Sequence, residues 1–161
     1  MHTKSELEAK ILPMIKELAP AGTKFVWNKS ARTFGYCRIR RNRITKEIIG
    51  ITVELSWTLA SRNNWSEIER TLLHEIAHAN TPGHGHDKVW KRECIRLGGD
   101  GQRCFKSVDH GGDVTVPYKW VGTCPKCGAQ FYRIKRCNRS VYHCDKNKII
   151  TWKPYEALKT A

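Results

Sequence analysis

The stretch TLLHEIAHANTPGHGHDKVW, residues 71–90, holds four of the chain's seven histidines, all within residues 74–86. Its first part belongs to a predicted helix over about residues 65–80, whose apolar stripe is formed by Ile68, Leu72, Ile76 and Ala79. Proline and glycines at 82–85 predict a turn, and a second helix is predicted from an N-cap at Asp87 to the glycines at 98 and 99. Such crowding of imidazoles indicates either a shared metal ion or a His-rich polar surface helix.

His74 and His78 are one helical turn apart, so their side chains lie on the same face and reach one ion. With Glu75 they form H-E-x-x-H, the pattern of two zinc ligands and a general base. A catalytic zinc needs a third protein ligand and an open position for water. His86 and His84 are both candidates, and His86 is preferred because it starts the second helix, which Trp90 would fix against the core. Glu75 would take the water proton and pass it to the leaving amine.

A second metal site is predicted in residues 122–147. Cys124 and Cys127 form a C-x-x-C knuckle with Pro125 and Gly128, and Cys144 is the third predicted ligand. Asn147 stands where a second C-x-x-C would place its last cysteine, so the fourth ligand is assigned to Cys137, with His143 as the alternative. A redox C-x-x-C would open a helix, whereas these residues are strand-like. Structural zinc would fold this short segment. The remaining cysteines are predicted to be small core residues or free thiols: Cys37, Cys94 and Cys104.

The formal net charge is +14, from 29 basic and 15 acidic residues, which predicts a polyanionic partner, most simply DNA. Residues 118–153 contain nine basic residues and one acidic residue, interleaved with aromatic residues that can stack on unpaired bases. DNA with single-stranded character is therefore the predicted partner, together with proteins on that DNA. The predicted contacts are Lys119, Trp120, Lys126, Arg133, Lys135, Arg136 and Arg139.

The first half predicts a helix and then strands. Leu7, Ile11, Ile15 and Leu18 recur at helical spacing, a capping box is predicted at Ser5 and Glu8, and Pro13 predicts a kink or a late start. Residues 24–28, 32–40 and 47–57 are predicted strands, with Ile49, Ile51, Val53 and Leu55 on one buried face. An exposed basic hairpin is predicted around Arg38, Arg40, Arg41 and Arg43.

No apolar run approaches the length of a membrane span, and the first twenty residues lack a signal-peptide core. Seven cysteines, an odd number, do not suit a complete disulfide framework. We therefore expect an intracellular protein of the cytoplasm, nucleoid or nucleus, neither secreted nor membrane-bound, with zinc and no small-molecule cofactor.

The segments LLHEIAHA, GHGHDKVW and CPKCG together resemble the SprT-like (Spartan-type) zinc metallopeptidase family, over about residues 5–152. The resemblance implies that His74, His78 and His86 hold zinc, with His86 four residues before an aromatic, and that Glu75 is the catalytic base. It also implies a DNA-dependent protease that degrades proteins crosslinked to DNA, with a zinc ribbon that helps to bind single-stranded regions. Ribbons of this family commonly end in a second C-x-x-C, whereas this chain has CDKN.

The expected fold is α+β: a small, minigluzincin-like zincin domain over residues 1–112 and a zinc ribbon over residues 113–161. In the first domain we expect an N-terminal helix, an antiparallel-type sheet, the H-E-x-x-H helix and a following helix. The expected function is zinc-dependent endoproteolysis of DNA-bound or DNA-crosslinked proteins, with one catalytic and one structural zinc. The alternative is a non-catalytic, zinc-containing DNA-binding protein.

Overall fold

The structure, a computed structural model, describes residues 2–103 and 114–155. The chain divides into two compact units, Met1–Val116 and Pro117–Ala161, and each is described by itself. The domain boundary predicted between residues 112 and 113 lies outside the described residues.

The first unit mixes helices with one sheet, so the predicted α+β class is confirmed. Its elements are α1 (Lys4–Leu18), β1 (Lys24–Asn28), β2 (Gly35–Arg41), β3 (Ile48–Ser56), α2 (Trp57–Ala60), α3 (Trp65–Asn80) and α4 (Lys88–Arg96). The predicted bounds of α3 and α4 are confirmed, whereas the short helix α2 was not predicted.

The sheet has the strand order β1-β3-β2, with β3 in the centre. β2 pairs with β3 antiparallel, as a hairpin, but β1 pairs with β3 parallel. The expectation of an antiparallel-type sheet is therefore wrong for β1. The reason is topological: β3 lies between β1 and β2, so the two strands adjacent in sequence are not neighbours in the sheet.

The core of this unit lies where α1 and α3 pack on the sheet. Leu7, Ile11 and Ile15 of α1 are buried, as predicted, and so is the whole predicted stripe of α3. Of the predicted strand stripe, Val53 and Leu55 are buried, but Ile49 is 52% exposed. Ile49 lies at a register shift between Arg40 and Arg41, where the ladder is irregular and the core face ends.

Of the helix caps predicted from the sequence, the one of α4 is correct and those of α1 and α3 are wrong. Asp87 caps α4 as predicted, accepting from the N–H groups of Val89 and Trp90. The capping box of α1 is formed by Thr3 and Glu6 instead of Ser5 and Glu8, so the helix starts early in spite of Pro13. The sequence also predicts a capping box at Ser66 and Glu69 for α3. The cap is Asn64 instead, because Asn64 Oδ1 accepts from Glu67 N–H at 3.0 Å.

The second unit is a small antiparallel sheet with the strand order β5-β4-β6. Its strands are β4 (Trp120–Thr123), β5 (Gln130–Arg133) and β6 (Thr151–Pro154). The cysteines lie on the connections between these strands. Over the described ranges of both units, none of the helices combines the length and apolar character needed to span a membrane.

Candidate metal centres and the cavity beside them

Three imidazoles, two from α3 and one from the segment before α4, converge on one point. His74 and His78 project from the same face of α3, and His86 lies just before α4. His86 Nε2 is 3.0 Å from His74 Nε2 and 3.2 Å from His78 Nε2. The structure therefore brings together the three histidines that the sequence analysis selected as ligands of a catalytic zinc.

The indole of Trp90 packs against this histidine cluster. Its ring centroid is 4.6 Å from that of His74, 4.6 Å from that of His86 and 5.2 Å from that of His78. Trp90 is 1% exposed, so the cluster rests on a buried support. Trp90 is placed one turn after His86 by the N-cap at Asp87, which fixes the start of α4.

Backbone carbonyls orient two of the imidazoles. His74 interacts with the carbonyl of Gln102 and His78 with that of His84. Because the Nε2 atoms face one another, these contacts engage the other ring nitrogen, as is usual for metal-bound histidine. Burial, followed by the charge of the neighbouring histidines, lowers the pKa of His74 and of His78 to about 4. The imidazoles are thus neutral at pH 7, the form that binds zinc, and the donor set fits that ion.

His84 contributes its backbone instead of its ring to the cluster. Its Nδ1 lies 2.8 Å from Asp87 Oδ2, and it does not belong to the group of converging nitrogens. Between the two candidates for the third position, the geometry thus groups His86 with His74 and His78.

Glu75 is buried beside the histidines, at 7% exposed. Burial raises the pKa of Glu75 to about 8, and a hydrogen bond from the Cys37 backbone N–H opposes this rise. Gly35 makes room for the carboxyl group, because a Cβ atom at this position would lie only 2.6 Å from Glu75 Oε1. The roles of Gly35 and of the Cys37 N–H were missed from the sequence, since neither residue belongs to a recognisable motif.

A cavity of about 660 Å³ opens over the histidine cluster and Glu75. Strand β2 forms one wall through Gly35, Tyr36, Cys37 and Ile39. Arg70, which also lines the cavity, is paired with Glu67 and Asp100. The Cys37 thiol is no candidate nucleophile, since burial raises its pKa to about 12. Cys94 is a buried core residue, as predicted, and Cys104 lies outside the described residues.

The second unit holds a separate group of potential ligands. Cys124 Sγ is 3.6 Å from Cys144 Sγ, and Cys127 Sγ is 3.3 Å from His143 Nδ1. All four ligand atoms lie within 4.8 Å of one another. The backbone N–H groups of Cys127 and Lys126 point at Cys124 Sγ and lower the pKa of that thiol to about 5. Three sulfurs and one imidazole nitrogen are a donor set that fits a closed zinc site.

Cys137, which was preferred as the fourth ligand, does not join this group. Its Sγ is 3.6 Å from the carbonyl oxygen of Arg139 instead. His143 takes the position because it directly precedes Cys144, and its ring also packs on Phe131 with centroids 5.0 Å apart. The preference for Cys137 is therefore corrected to the alternative, His143.

The predicted DNA contacts lie on and around the sheet of the second unit. Two arginines cover tryptophan rings: Arg136 Cζ is 5.4 Å from the Trp120 centroid, and Arg133 Cζ is 5.0 Å from that of Trp152. The basic members of the predicted set are all exposed. The structure thus leaves their charges at the surface, where a polyanion has access.

Comparisons with known proteins agree with this geometry. A search of curated proteins found no match. The model of the SprT-like family matches residues 8–110, a range that contains α3, the three converging histidines, Glu75 and Trp90. This match extends over more than half of the chain and confirms the resemblance first drawn from short motifs. The chain therefore belongs to the SprT-like family.

Proposed function

We propose that this protein is a zinc-dependent endopeptidase that cuts proteins bound or crosslinked to DNA, built on a zincin-type layout. The observation that carries the proposal is the convergence of His74, His78 and His86 beside the buried carboxyl of Glu75, all lining one cavity. Three protein ligands, rather than four, are the number that a catalytic zinc site uses.

Each residue of the cavity has a distinct role. His74, His78 and His86 would hold zinc, and a zinc ion bound there would supply Lewis-acid chemistry, polarising a scissile carbonyl and lowering the pKa of water. The charge of a bound zinc would oppose the effect of burial on the pKa of Glu75, and the Glu75 carboxylate would then accept a proton from water and deliver it to the departing amine. The Cys37 N–H and the space at Gly35 hold the Glu75 carboxyl in place. Trp90 positions the imidazoles.

The peptide substrate binds along the edge of the sheet. β2 is an outer strand, and the Cys37 N–H points away from β3, towards Glu75. Backbone groups on this side of β2 can pair with an extended peptide, which would run through the cavity past the zinc ligands. Pairing through the main chain tolerates many side chains, so sequence preference is expected to be loose.

The DNA dependence is supported by charge rather than by the peptidase site. The second unit exposes a dense set of basic residues around Trp120 and Trp152, and its Cys124, Cys127, His143 and Cys144 group can hold a structural zinc. Phosphates would bind the basic side chains and unpaired bases would stack on aromatic rings. Bound DNA would then deliver the attached protein to a peptidase with little selectivity of its own.

The test compares cleavage of a protein crosslinked to a single-stranded oligonucleotide with cleavage of the same protein free of DNA. Wild type, Glu75→Gln and Glu69→Gln are compared, because Glu69 lies on the same helix but does not line the cavity. Wild type and Glu69→Gln should cut only when DNA is present, and Glu75→Gln should keep its zinc and not cut. Cleavage by Glu75→Gln would show that Glu75 is not the general base. Equal cleavage of the protein without DNA would show that the activity does not depend on DNA.

A non-catalytic zinc protein that binds DNA is the alternative function. In that case His84 would complete a closed site with the other three histidines. The 2.8 Å contact of the His84 ring with Asp87 favours the open site instead. Zinc content after substitution distinguishes the two functions: His84→Ala should retain the zinc of the first unit, whereas His86→Ala should lose it.

A further inference from the structure

The solvent face of the sheet in the first unit is basic. Register places Tyr36, Arg38 and Arg40 of β2 on the same face as Glu54, Thr52 and Gly50 of β3, their respective partners. Lys24 and Val26 of β1 share this face, because they pair with Thr52 and Glu54. The opposite face is packed against the core.

Side chains on this face form a shallow platform. The guanidinium carbon of Arg38 lies 5.4 Å from the Tyr36 ring centroid, and Tyr36 is 51% exposed. Arg40 lies across its partner Gly50, whose missing side chain leaves room for the guanidinium, with Nη2 about 3.5 Å from the place of a Cβ atom. Both arginines thus spread over the sheet with their charge open to solvent.

The hairpin tip extends the positive charge. Arg43 and Lys46 are exposed there, and Lys46 Nζ donates to the carbonyl oxygen of Arg43. Arg41 is exposed as well, but its Nη2 lies 4.0 Å from the place of a Cβ atom at Gly83, in the turn after α3. β1 and the β2–β3 hairpin together contain six basic residues and two acidic residues, Glu47 and Glu54. Glu54 is 15% exposed and pairs with Arg38 at 3.1 Å, so it offsets the charge of Arg38 and leaves the other basic residues in excess. The basic residues are Lys24, Arg38, Arg40, Arg41, Arg43 and Lys46.

We infer that this face, which we name the hairpin platform (Tyr36, Arg38, Arg40, Arg43 and Lys46), binds single-stranded DNA. Charge complementarity selects a phosphate backbone as the occupant, and the exposed Tyr36 ring offers a stacking surface for an unpaired base. Alternate residues of a strand are about 6.6 Å apart, a spacing that suits successive phosphates of an extended single strand. The platform belongs to the first unit, whereas the DNA contacts predicted from the sequence belong to the second.

The platform and the cavity share one strand. Along β2, Arg38 and Arg40 face solvent, whereas Cys37 and Ile39 line the cavity with Gly35, and Tyr36 of the platform also borders the cavity. A DNA strand on the platform would therefore pass within one strand's width of the peptide path. This consequence for substrate delivery rests on the proposed peptidase function, but DNA binding by the platform does not.

The experiment measures binding of fluorescein-labelled dT20 to the full-length, zinc-loaded chain by anisotropy, over a series of salt concentrations. Arg40→Gln/Arg43→Gln is compared with Lys88→Gln/Arg92→Gln, a pair of exposed basic residues on α4 that removes the same charge. All variants also carry Glu75→Gln, so failure of the peptidase proposal leaves this measurement unaffected. Because each phosphate contact on a single strand adds about 0.7 to the slope of log K against log salt, loss of two contacts should lower that slope by about 1.4.

A lower slope and weaker binding for the hairpin pair, with wild-type values for the α4 pair, is the expected result. A photoactivatable 4-thiothymidine strand should also crosslink to the peptide that contains Tyr36. Equal slopes for the two pairs would overturn the inference, since they would show only a general effect of charge. An effect of the hairpin pair on rU20 but not on dT20 would overturn it as well, because the occupant would then be RNA.

Discussion

Trp90 lies parallel to His78, with ring planes 25° apart and centroids 5.2 Å apart, and it meets the other two imidazoles of the cluster edge-on. One buried indole therefore sets the positions of three side chains from two different segments. None of the three imidazole rings can tilt far without losing its contact with the Trp90 ring.

Replacement of Trp90 should weaken zinc binding without removing a ligand. We expect Trp90→Leu to lower the zinc affinity of the first unit by about 10-fold or more, the scale seen when residues behind metal ligands are changed. Titration with a competing chelator measures this. Trp65→Leu, a partly buried position elsewhere in the core, is the control and should leave zinc affinity unchanged even if it lowers stability.

Gly35→Ala should impair catalysis by displacing Glu75. The new methyl group would lie 2.6 Å from Glu75 Oε1 and 2.7 Å from Thr71 Cγ2, so the carboxyl must move. Misplacing a reacting group by about 1 Å can cost roughly 100-fold in rate. We expect kcat to fall on this scale while zinc content stays at the wild-type level. Gly50→Ala, in the same sheet, is the control, because a Cβ atom there would make only an ordinary contact, 3.5 Å from Arg40 Nη2. Its kcat, measured at saturating DNA, should equal that of wild type. Full activity of Gly35→Ala would argue against Glu75 as the base.

Zinc analysis can decide whether His143 or Cys137 is the fourth ligand in the second unit. His143→Ala should remove zinc from the second unit, because it deletes one of four converging ligands. Cys137→Ala should retain this zinc, since its sulfur lies outside the group. Metal content per chain, measured by atomic emission, should therefore fall by about one ion in the first variant alone. The reverse pattern would restore Cys137 as the ligand.

The N-cap of α4 should contribute measurably to stability. Asp87→Ala removes the acceptor for two N–H groups at the start of the helix and should destabilise the first unit by about 1 kcal/mol in urea unfolding. Asp87→Asn should cost much less, because asparagine caps equally well. The exposed contact with His84 adds little to this difference. Equal losses for the two variants would instead assign the stabilisation to the charge.

Sequence predicted those features that depend on local periodicity and spacing. The stripe of α3 and the cap at Asp87 follow from residues within a few positions of one another, and so does the i, i+4 pair of His74 and His78. The parallel partner of β1 could not be predicted, because strand order depends on packing between distant segments. Thr3 and Asn64 were passed over as caps because serines nearby satisfied the same pattern. The place of His143 among the four ligands and the room that Gly35 leaves for Glu75 follow only from proximity in three dimensions.

Alternate residues of strand β2 serve two different surfaces, the basic solvent face and the wall of the cavity. This alternation restricts how the sequence of β2 can change. Inserting or deleting a single residue between Gly35 and Arg40 would exchange the two faces, turning arginines into the core and Cys37 and Ile39 out to solvent. The turn that follows, residues 42–47, carries no such alternation and can vary in length. Related chains should accordingly keep the length of β2 constant while the turn lengthens or shortens.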